Sequence, residues 1–151
     1  MLKKIFFTII ILNLLSHCEY KPVFSNQNKV NYKIIVTSVT GDKEINNFIA
    51  TMIKRNSEES SNKILNVSFD TKYTKNILAK NAAGRITDYQ VNVITKFTIQ
   101  KENNSENFSI NEKFNFKKMT DMYEEKNYER TIRKNLANSI SQKLILKLAV
   151  N

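Results

Sequence analysis

The sequence is poor in the residues that most enzymes and metal sites use. Its 151 residues include one cysteine, one histidine, two glycines, one proline and no tryptophan. With only Gly41 and Gly84, the chain has no glycine-rich loop that cradles a nucleotide phosphate. A lone cysteine cannot form an internal disulfide. These absences exclude many catalytic and cofactor-binding classes.

The remaining composition is that of one folded domain with a positive charge. Hydrophobic residues make up 41% and charged residues 25% of the chain, which is ordinary globular usage. The length fits a single domain. Lysine and arginine number 24 against 14 acidic residues, for a formal net charge of +10. This charge favours anionic partners.

The first seventeen residues have the pattern of a secretory signal. Two lysines within Met1–Lys4 precede an apolar run at Ile5–Leu15, and Ser16 and His17 follow it. A run of this length is too short to cross a bilayer, which takes about twenty apolar residues. We therefore predict that residues 1–17 are a signal peptide; the alternative is a short anchor that is not cleaved.

Cys18 stands at the end of this leader, where a lipoprotein signal places its acylation target. We predict that Cys18 carries lipid; the alternative is an unpaired thiol. Lipoprotein signals usually have a small residue before the cysteine, whereas His17 stands here. Residues 18–29 then form a linker to a single domain at residues 30–151.

Cleavage would remove the only histidine together with two lysines, which leaves a net charge of +8. Catalytic triads, Cys-His dyads and zinc or iron sites held by histidine or cysteine are then excluded. The adjacent pairs Glu58 with Glu59 and Glu124 with Glu125 are typical of a solvated loop and a helix start rather than of an acid/base pair. We predict no enzyme activity, no metal and no cofactor.

The first half of the domain predicts a strand, a helix and a second strand. Apolar residues alternate from Val30, and the strand ends at Gly41. Asp42 is placed to cap the helix, and Asn56–Lys63 is a polar loop. The buried helix face is predicted to contain Ile45, Phe48, Ile49, Met52 and Ile53. The buried side of the second strand is predicted to contain Leu65, Val67 and Phe69. A crossover of this kind makes the two strands parallel.

The second half predicts an antiparallel hairpin. Tyr73–Ala83 is predicted to be a loop, because its only apolar group is short, and Asn81–Gly84 is a turn signal. Alternation then predicts a long strand over Tyr89–Ile99 and another over Phe108–Phe116, joined through the polar stretch Lys101–Asn107.

The last element is predicted to be a helix that begins at Asp121, with Glu124 three residues later at capping-box spacing. Its apolar row is Tyr128, Ile132, Leu136, Ile140, Leu144 and Leu148. Each step of four residues overshoots a full turn by about 40°. We therefore predict that the helix curves over the sheet, or that its last turn, with Ile145, Leu146 and Val150, meets something else; the alternative is a frayed apolar end.

These elements predict an α+β fold, a two-layer α/β sandwich with two helices on one face of a four-stranded mixed sheet in the order β-α-β-β-β-α. The opposite face is predicted to be polar and free of acids. It comprises Asn66, Ser68, Gln90, Asn92, Lys96, Thr98, Ser109, Asn111, Lys113, Asn115 and Lys117. Such a face is either solvated or docks against a polar, enclosed surface.

Nearly all of the chain after Cys18 resembles the LptE lipoproteins, the lipopolysaccharide-assembly partners of the outer-membrane barrel LptD. The opening motif of aromatic, proline and aromatic is similar, as are the first strand and helix, the long strand and the last helix. The matching residues are Tyr20, Pro22, Phe24, Gly41, Phe48, Ile49, Ile86, Tyr89, Val91, Tyr128, Glu129, Arg130, Leu136, Ala137, Ile140 and Leu144.

The resemblance implies a lipoprotein anchored by acyl chains on the periplasmic face of the outer membrane. It implies an LptD-like barrel as protein partner, with this chain as its plug, and a role in delivering lipopolysaccharide to the outer leaflet. The family's lipopolysaccharide-contacting basic residues lie near one end of the sheet. The corresponding candidates here are Lys80, Arg85, Lys117 and Lys118; alternatively, these are ordinary surface charges.

Two other classes compete with this interpretation. One is a general periplasmic lipid- or protein-binding lipoprotein that is not committed to LptD. The other is a nucleic-acid-binding protein, which the charge alone suggests. The export signal and the scattered lysines argue against it, so we predict no nucleic-acid partner.

Overall fold

The computed structural model describes residues 30–102 and 104–150. The elements are β1 (Lys33–Gly41), α1 (Lys43–Asn56), β2 (Ile64–Lys80), β3 (Ile86–Lys101), β4 (Asn104–Lys117) and α2 (Met122–Val150). The predicted order β-α-β-β-β-α is confirmed. The predicted signal peptide, linker and Cys18 lie outside the described residues.

The four strands form one mixed sheet in the order β1-β2-β3-β4. β1 and β2 are parallel, which the crossover through α1 requires. β3 and β4 form the predicted antiparallel hairpin. β2 also pairs with β3 in the antiparallel direction. β1 ends at Gly41, opposite Thr71, so residues 72–80 of β2 pair with β3 alone among the described strands.

Helix α1 begins as predicted. A carboxylate oxygen of Asp42 accepts a hydrogen bond from the Ile45 N–H at 3.0 Å and so caps the first turn. Ile45, Ile49 and Ile53 are fully buried against the sheet. Phe48 packs against this core and is partly buried.

Helix α2 lies on the same face of the sheet and contacts α1 and β4. The predicted apolar row is buried from Ile132 to Leu148, whereas Tyr128 at its start is 38% exposed. Ala137, Ser141 and Ile145 are buried beside that row. The predicted row winds around the helix surface, and this second row keeps the helix in contact with the core where the predicted row turns away. In the last turn Ile145 is buried and Leu146 is 55% exposed.

Three predicted boundaries were wrong. β2 continues through most of the predicted loop Tyr73–Ala83, as far as Lys80. β4 begins at Asn104, inside the predicted connection Lys101–Asn107, because as an edge strand it needs few buried side chains. Val30 forms an isolated bridge with Ser57 rather than the start of β1, although it is buried in the core.

Candidate functional site

The four predicted basic residues lie at one end of the sheet, where β2 turns into β3 and β4 leads to α2. We term this the hairpin end. Lys80 and Arg85 flank the turn, which is closed by hydrogen bonds between Asn81 and Arg85. Lys117 lies opposite Asp88 in the register of β3 and β4. The Lys118 N–H donates to the Thr87 carbonyl at 2.8 Å. The antiparallel pairing therefore brings the four candidates to the same end.

Lys118 differs from the other three in its surroundings. Its ammonium donates to Glu125 Oε2 at 2.8 Å, and the same oxygen accepts the Met119 N–H at 3.1 Å. The Glu125 side chain is 9% exposed. In the described part of the chain, no acidic side chain forms an ion pair with Lys80, Arg85 or Lys117. These three are the cations at the hairpin end that an anionic ligand can reach without breaking an internal pair.

Lys118 belongs to a cluster of charged and hydroxyl groups beneath the hairpin end. We term Tyr73, Lys75, Lys118, Glu125, Glu129 and Arg133 the ion-pair cluster. Lys75 donates to Glu125 at 3.0 Å and to Glu129 at 2.9 Å, and the Tyr73 hydroxyl donates to Glu129 at 2.6 Å. The Lys75 ammonium also lies 4.2 Å from the Tyr89 ring centroid, within cation–π range. The cluster fastens β2 to the first turns of α2.

Arg133 extends the cluster to α1. Its guanidinium donates to Asp42 at 2.6 Å and to Glu129 at 3.4 Å. It also lies 3.6 Å from the Tyr73 ring centroid. The same aspartate that caps α1 is thus held by α2, which fixes the start of α1 against the hairpin strands.

The cluster shifts the pKa values of its members. Burial alone would raise the pKa of Glu125, but hydrogen bonds from Lys118, Lys75 and the Met119 N–H outweigh it and lower this pKa to about 2. The pKa of Glu129 is lowered in the same way, against burial, by Tyr73 and Lys75. Burial and the bond to Glu129 raise the pKa of Tyr73. The acids of the cluster therefore stay ionised and the phenol stays neutral at neutral pH.

Large apolar side chains are also exposed towards the hairpin end, and the sequence interpretation did not identify them as a group. Ile77 and Leu78 on β2 are 51% and 48% exposed, and Met122 and Tyr123 at the start of α2 are 80% and 74% exposed. Ile77 lies in the last regular part of β2, next to a register shift. The side chains of Tyr73, Lys75 and Ile77 continue the row of β2 that faces the helices. A lysine in the middle of that row breaks the apolar pattern, so the sequence indicates a strand here only if Lys75 is assigned to the buried side.

The sheet face that points away from the helices, termed the open face, is mostly polar as predicted, with Ile35 and Ile64 exposed on it where β1 pairs with β2. No described element covers it. Side-chain amides and hydroxyls bond across its strands, as in Gln90 to Asn115 at 3.1 Å and Thr98 to Asn107 at 2.6 Å. The side-chain oxygen of Asn92 is buried and accepts no hydrogen bond from the described residues.

One detail of the open face was wrong. It was predicted to carry no acid, but Asp70 lies on it between Ser68 and Lys72 on β2, and Asp88 lies on it opposite Lys117. The Asp70 carboxylate accepts a hydrogen bond from the Thr40 hydroxyl on β1 at 2.6 Å. The open face therefore carries one acid beside β1 and another at the hairpin end.

Two cavities adjoin the helices. A polar cleft of about 590 Å³ lies between the start of α1 and the first turns of α2. It is lined by Glu44, Lys126, Asn127, Glu129, Arg130 and Arg133. A smaller cavity of about 330 Å³ lies at the opposite end of the sheet, with Leu65, Ile99 and Leu148 among its lining residues.

Neither described helix is long and apolar enough to span a membrane. Within the described residues, no group of three or more acidic, histidine or cysteine side chains is arranged to hold a metal ion.

No protein-family model and no curated protein sequence matches this chain. Solved structures do match. Rare lipoprotein B from Shewanella oneidensis aligns with a TM-score of 0.55 at 13% identity, over 74% of this chain and 94% of that one. A minor lipoprotein from Acinetobacter baumannii aligns with a TM-score of 0.53 at 13% identity, over 77% of this chain and 94% of that one.

At this identity the similarity shows the fold. Rare lipoprotein B is an LptE homologue, so the observed fold is the one that the sequence resemblance implied. The chain therefore has the fold of the LptE lipoproteins.

Proposed function

We propose that this chain is an outer-membrane lipoprotein that plugs an LptD-like β-barrel from the periplasmic side. In this role it assists assembly of the barrel and helps deliver lipopolysaccharide to the outer leaflet. It acts by binding, not by catalysis. Acyl chains on Cys18 would hold it at the membrane, since stable anchoring takes two or more chains.

The observation that carries the proposal is the open face. It is a broad sheet surface rich in amides, hydroxyls and lysines, and no described element covers it. Lumens of outer-membrane barrels are polar, so this surface suits contact with a lumen wall. A sheet buried against an apolar partner would instead expose a row of large apolar side chains.

The hairpin end supports the second part of the proposal. Lys80, Arg85 and Lys117 are exposed there and lack an ion-pair partner among the described residues. The phosphates of lipid A form charge-assisted hydrogen bonds with such groups. These residues are the proposed contacts with lipopolysaccharide.

The test is co-purification from the native envelope. The full-length tagged chain is extracted in mild detergent, partners are identified by mass spectrometry, and the mass of the amino-terminal peptide is recorded. A stoichiometric LptD-like barrel with an acylated Cys18 is expected. Absence of the barrel would overturn the proposal and favour a general periplasmic binding lipoprotein.

A matched pair of variants assigns the surface. Asn111 lies exposed on the open face, and Asn135 lies exposed on α2. Asn111→Trp is expected to reduce barrel recovery, because the indole blocks close contact with the open face. Asn135→Trp carries the same side chain on the other layer and is expected to leave recovery unchanged. Equal recovery with both variants would refute the role of the open face.

A further inference from the structure

β2 has a free edge where β1 has ended. β1 pairs with β2 only as far as Thr71, so residues 72–80 have no described strand on the side away from β3. β1 ends and α1 begins at this level, whereas β2, β3 and α2 extend beyond it. Beyond Thr71 the sheet is therefore one strand narrower. There the edge of β2 is not covered by a described strand, and the polar cleft lies next to it.

The register identifies which backbone groups the edge presents. The Thr71 carbonyl accepts the Asp42 N–H at 2.8 Å, so Thr71 points its backbone groups towards the β1 side. Backbone groups alternate in direction along a strand. The backbone N–H and C=O groups therefore point towards the open edge at Tyr73, Lys75 and Ile77. They point towards β3 at Thr74 and Asn76.

The edge is held rigidly in place. The side chains of Tyr73 and Lys75 are fastened to α2 by Glu129 at 2.6 and 2.9 Å. Tyr73 also packs under the Arg133 guanidinium. A strand that binds this edge therefore finds its hydrogen-bonding groups already ordered, which lowers the entropic cost of association.

The charges around the edge indicate which kind of strand would bind there. Lys72 and Lys80 on β2 and Lys126 in the cleft form no ion pair with any described residue. The acids that line the cleft are occupied: Glu44 pairs with Arg130 at 3.2 Å, and Glu129 pairs with Lys75 at 2.9 Å. Two further acids lie near these lysines, Asp70 next to Lys72 and Asp88 opposite Ala79. The three lysines outnumber them, so the net charge beside the edge is positive and an acidic strand complements it.

We propose that the free edge of β2 binds an extended, acidic segment of the barrel partner by β-strand addition. The added strand continues the sheet where β1 stops, and its inward side chains lie over the polar cleft. This inference rests on the proposed function for its partner, and it assigns to the edge a contact distinct from the open face.

The first test is amide hydrogen exchange, resolved by residue, on the isolated mature protein and on its complex with the barrel. The Tyr73, Lys75 and Ile77 amides are expected to exchange at least tenfold more slowly in the complex. The Thr74 and Asn76 amides already bond to β3 and are expected to change little. Absence of this alternation in the complex would overturn the proposal.

The same experiment identifies other occupants. Protection of the three edge amides in the isolated protein would mean that the chain itself or a second copy fills the edge, which also overturns the proposal. If the wild type recovers no barrel at all, the proposed function fails first. A recovered barrel with unprotected edge amides refutes the edge alone.

The second test uses proline. The Ile77 N–H points away from β3, so Ile77→Pro removes an edge donor while the ladder to β3 is kept. Ile77→Ala removes the same side chain and keeps the N–H. Ile77→Pro is expected to lower barrel recovery at least fivefold relative to Ile77→Ala. Equal recovery by the two folded variants would count against the proposal; if Ile77→Pro does not fold, the exchange pattern decides.

A third comparison tests the charge. Lys126→Glu places a carboxylate in the cleft and is expected to weaken recovery about fivefold. Lys54→Glu makes the same charge change at an exposed position on α1 and is expected to have no effect. An equal effect of both substitutions would overturn the acidic character of the segment.

Discussion

The Lys118 ammonium lies 2.8 Å from Oε2 of Glu125, although Lys118 is one of the four residues predicted from sequence to bind glycolipid. The other oxygen of Glu125 lies 3.0 Å from Lys75. A single carboxylate thus neutralises one cation from β2 and one from the segment that precedes α2. This relationship gives Lys118 an internal partner and makes Glu125 important for stability.

Replacement of Glu125 is expected to destabilise the protein in a pH-dependent manner. The folded state lowers the pKa of Glu125 to about 2 from its ordinary 4.5. The stabilisation is therefore complete above about pH 5 and is lost as pH falls from about 4.5 to about 2. Glu125→Gln should cost on the order of 3 kcal/mol at pH 7. Urea unfolding at pH 7 and at pH 2 to 3 measures both quantities.

The control is Glu124→Gln, an exposed neighbour in the first turn of α2. It removes one charge from the same turn and should cost less than about 1 kcal/mol. The gap between wild type and Glu125→Gln should shrink at the lower pH, where the wild-type carboxyl is also protonated. A gap that stays constant with pH would show that the ion pairs do not supply the stability.

Glycolipid binding is expected to depend on the exposed basic residues of the hairpin end. Lys80→Glu combined with Arg85→Glu should weaken binding to purified lipopolysaccharide at least tenfold, because two charge-assisted contacts with phosphate become repulsive. Lys43→Glu combined with Lys54→Glu makes the same change in net charge on exposed positions of α1. Equal loss in both double variants would indicate an effect of net charge only, and unchanged binding in the first would refute the assignment.

Lys118 requires a different variant. Its charge reversal would place a second carboxylate beside Glu125, which disturbs the fold as well as any ligand contact. Lys118→Met is expected to lower stability while glycolipid binding by the folded protein changes less than threefold. A loss of binding as large as that of the Lys80 and Arg85 double variant would show that Lys118 contacts the ligand directly.

Most of the fold could be predicted from the sequence because its core is encoded in local periodicity. Ile45, Ile49 and Ile53 follow helical spacing, and Val91, Val93 and Phe97 follow strand spacing; all six are buried. The parallel pairing of β1 and β2 follows from the single crossover helix.

The far half of β2 could not be predicted, because its inward side chains are held by distant partners. Lys75 points into the molecule only because Glu125 and Glu129 lie there, about fifty residues further along the chain. Alternation rules count such a lysine as exposed. The candidate basic residues could be assigned to one end of the sheet from the hairpin register, but the internal pairing of Lys118 depends on where α2 begins.

Gly41 is expected to tolerate no side chain. It adopts a positive φ of 90°, and an added Cβ would lie 2.0 Å from the Thr71 carbonyl oxygen. Either the turn into α1 or the end of the β1–β2 pairing must then shift. Gly41→Ala should cost about 3 kcal/mol or more and lower the melting temperature by about 10 °C.

Gly84 supplies the matched control for this prediction. It has a similar φ of 76°, but no atom lies within 4 Å of an added Cβ. Gly84→Ala therefore carries only the conformational cost of about 1 kcal/mol. Thermal unfolding compares the two variants, and equal losses would show that the approach of Thr71 is unimportant.

A pair of buried hydroxyls in the centre of the sheet gives a double-mutant test. The Thr71 and Thr95 hydroxyls lie 3.0 Å apart, on directly opposite residues of β2 and β3, and both residues are almost fully buried. Thr71→Val leaves the Thr95 hydroxyl without this partner and should cost about 1 to 3 kcal/mol.

The double variant should recover most of that loss. When Thr95→Val is added, no unpaired hydroxyl remains, and two β-branched apolar side chains face each other across the strands. The free energy of unfolding from urea titration is then expected to return to within about 1 kcal/mol of wild type. Additive losses would mean that each hydroxyl stabilises the sheet through some other contact, so that the pair does not act as a unit.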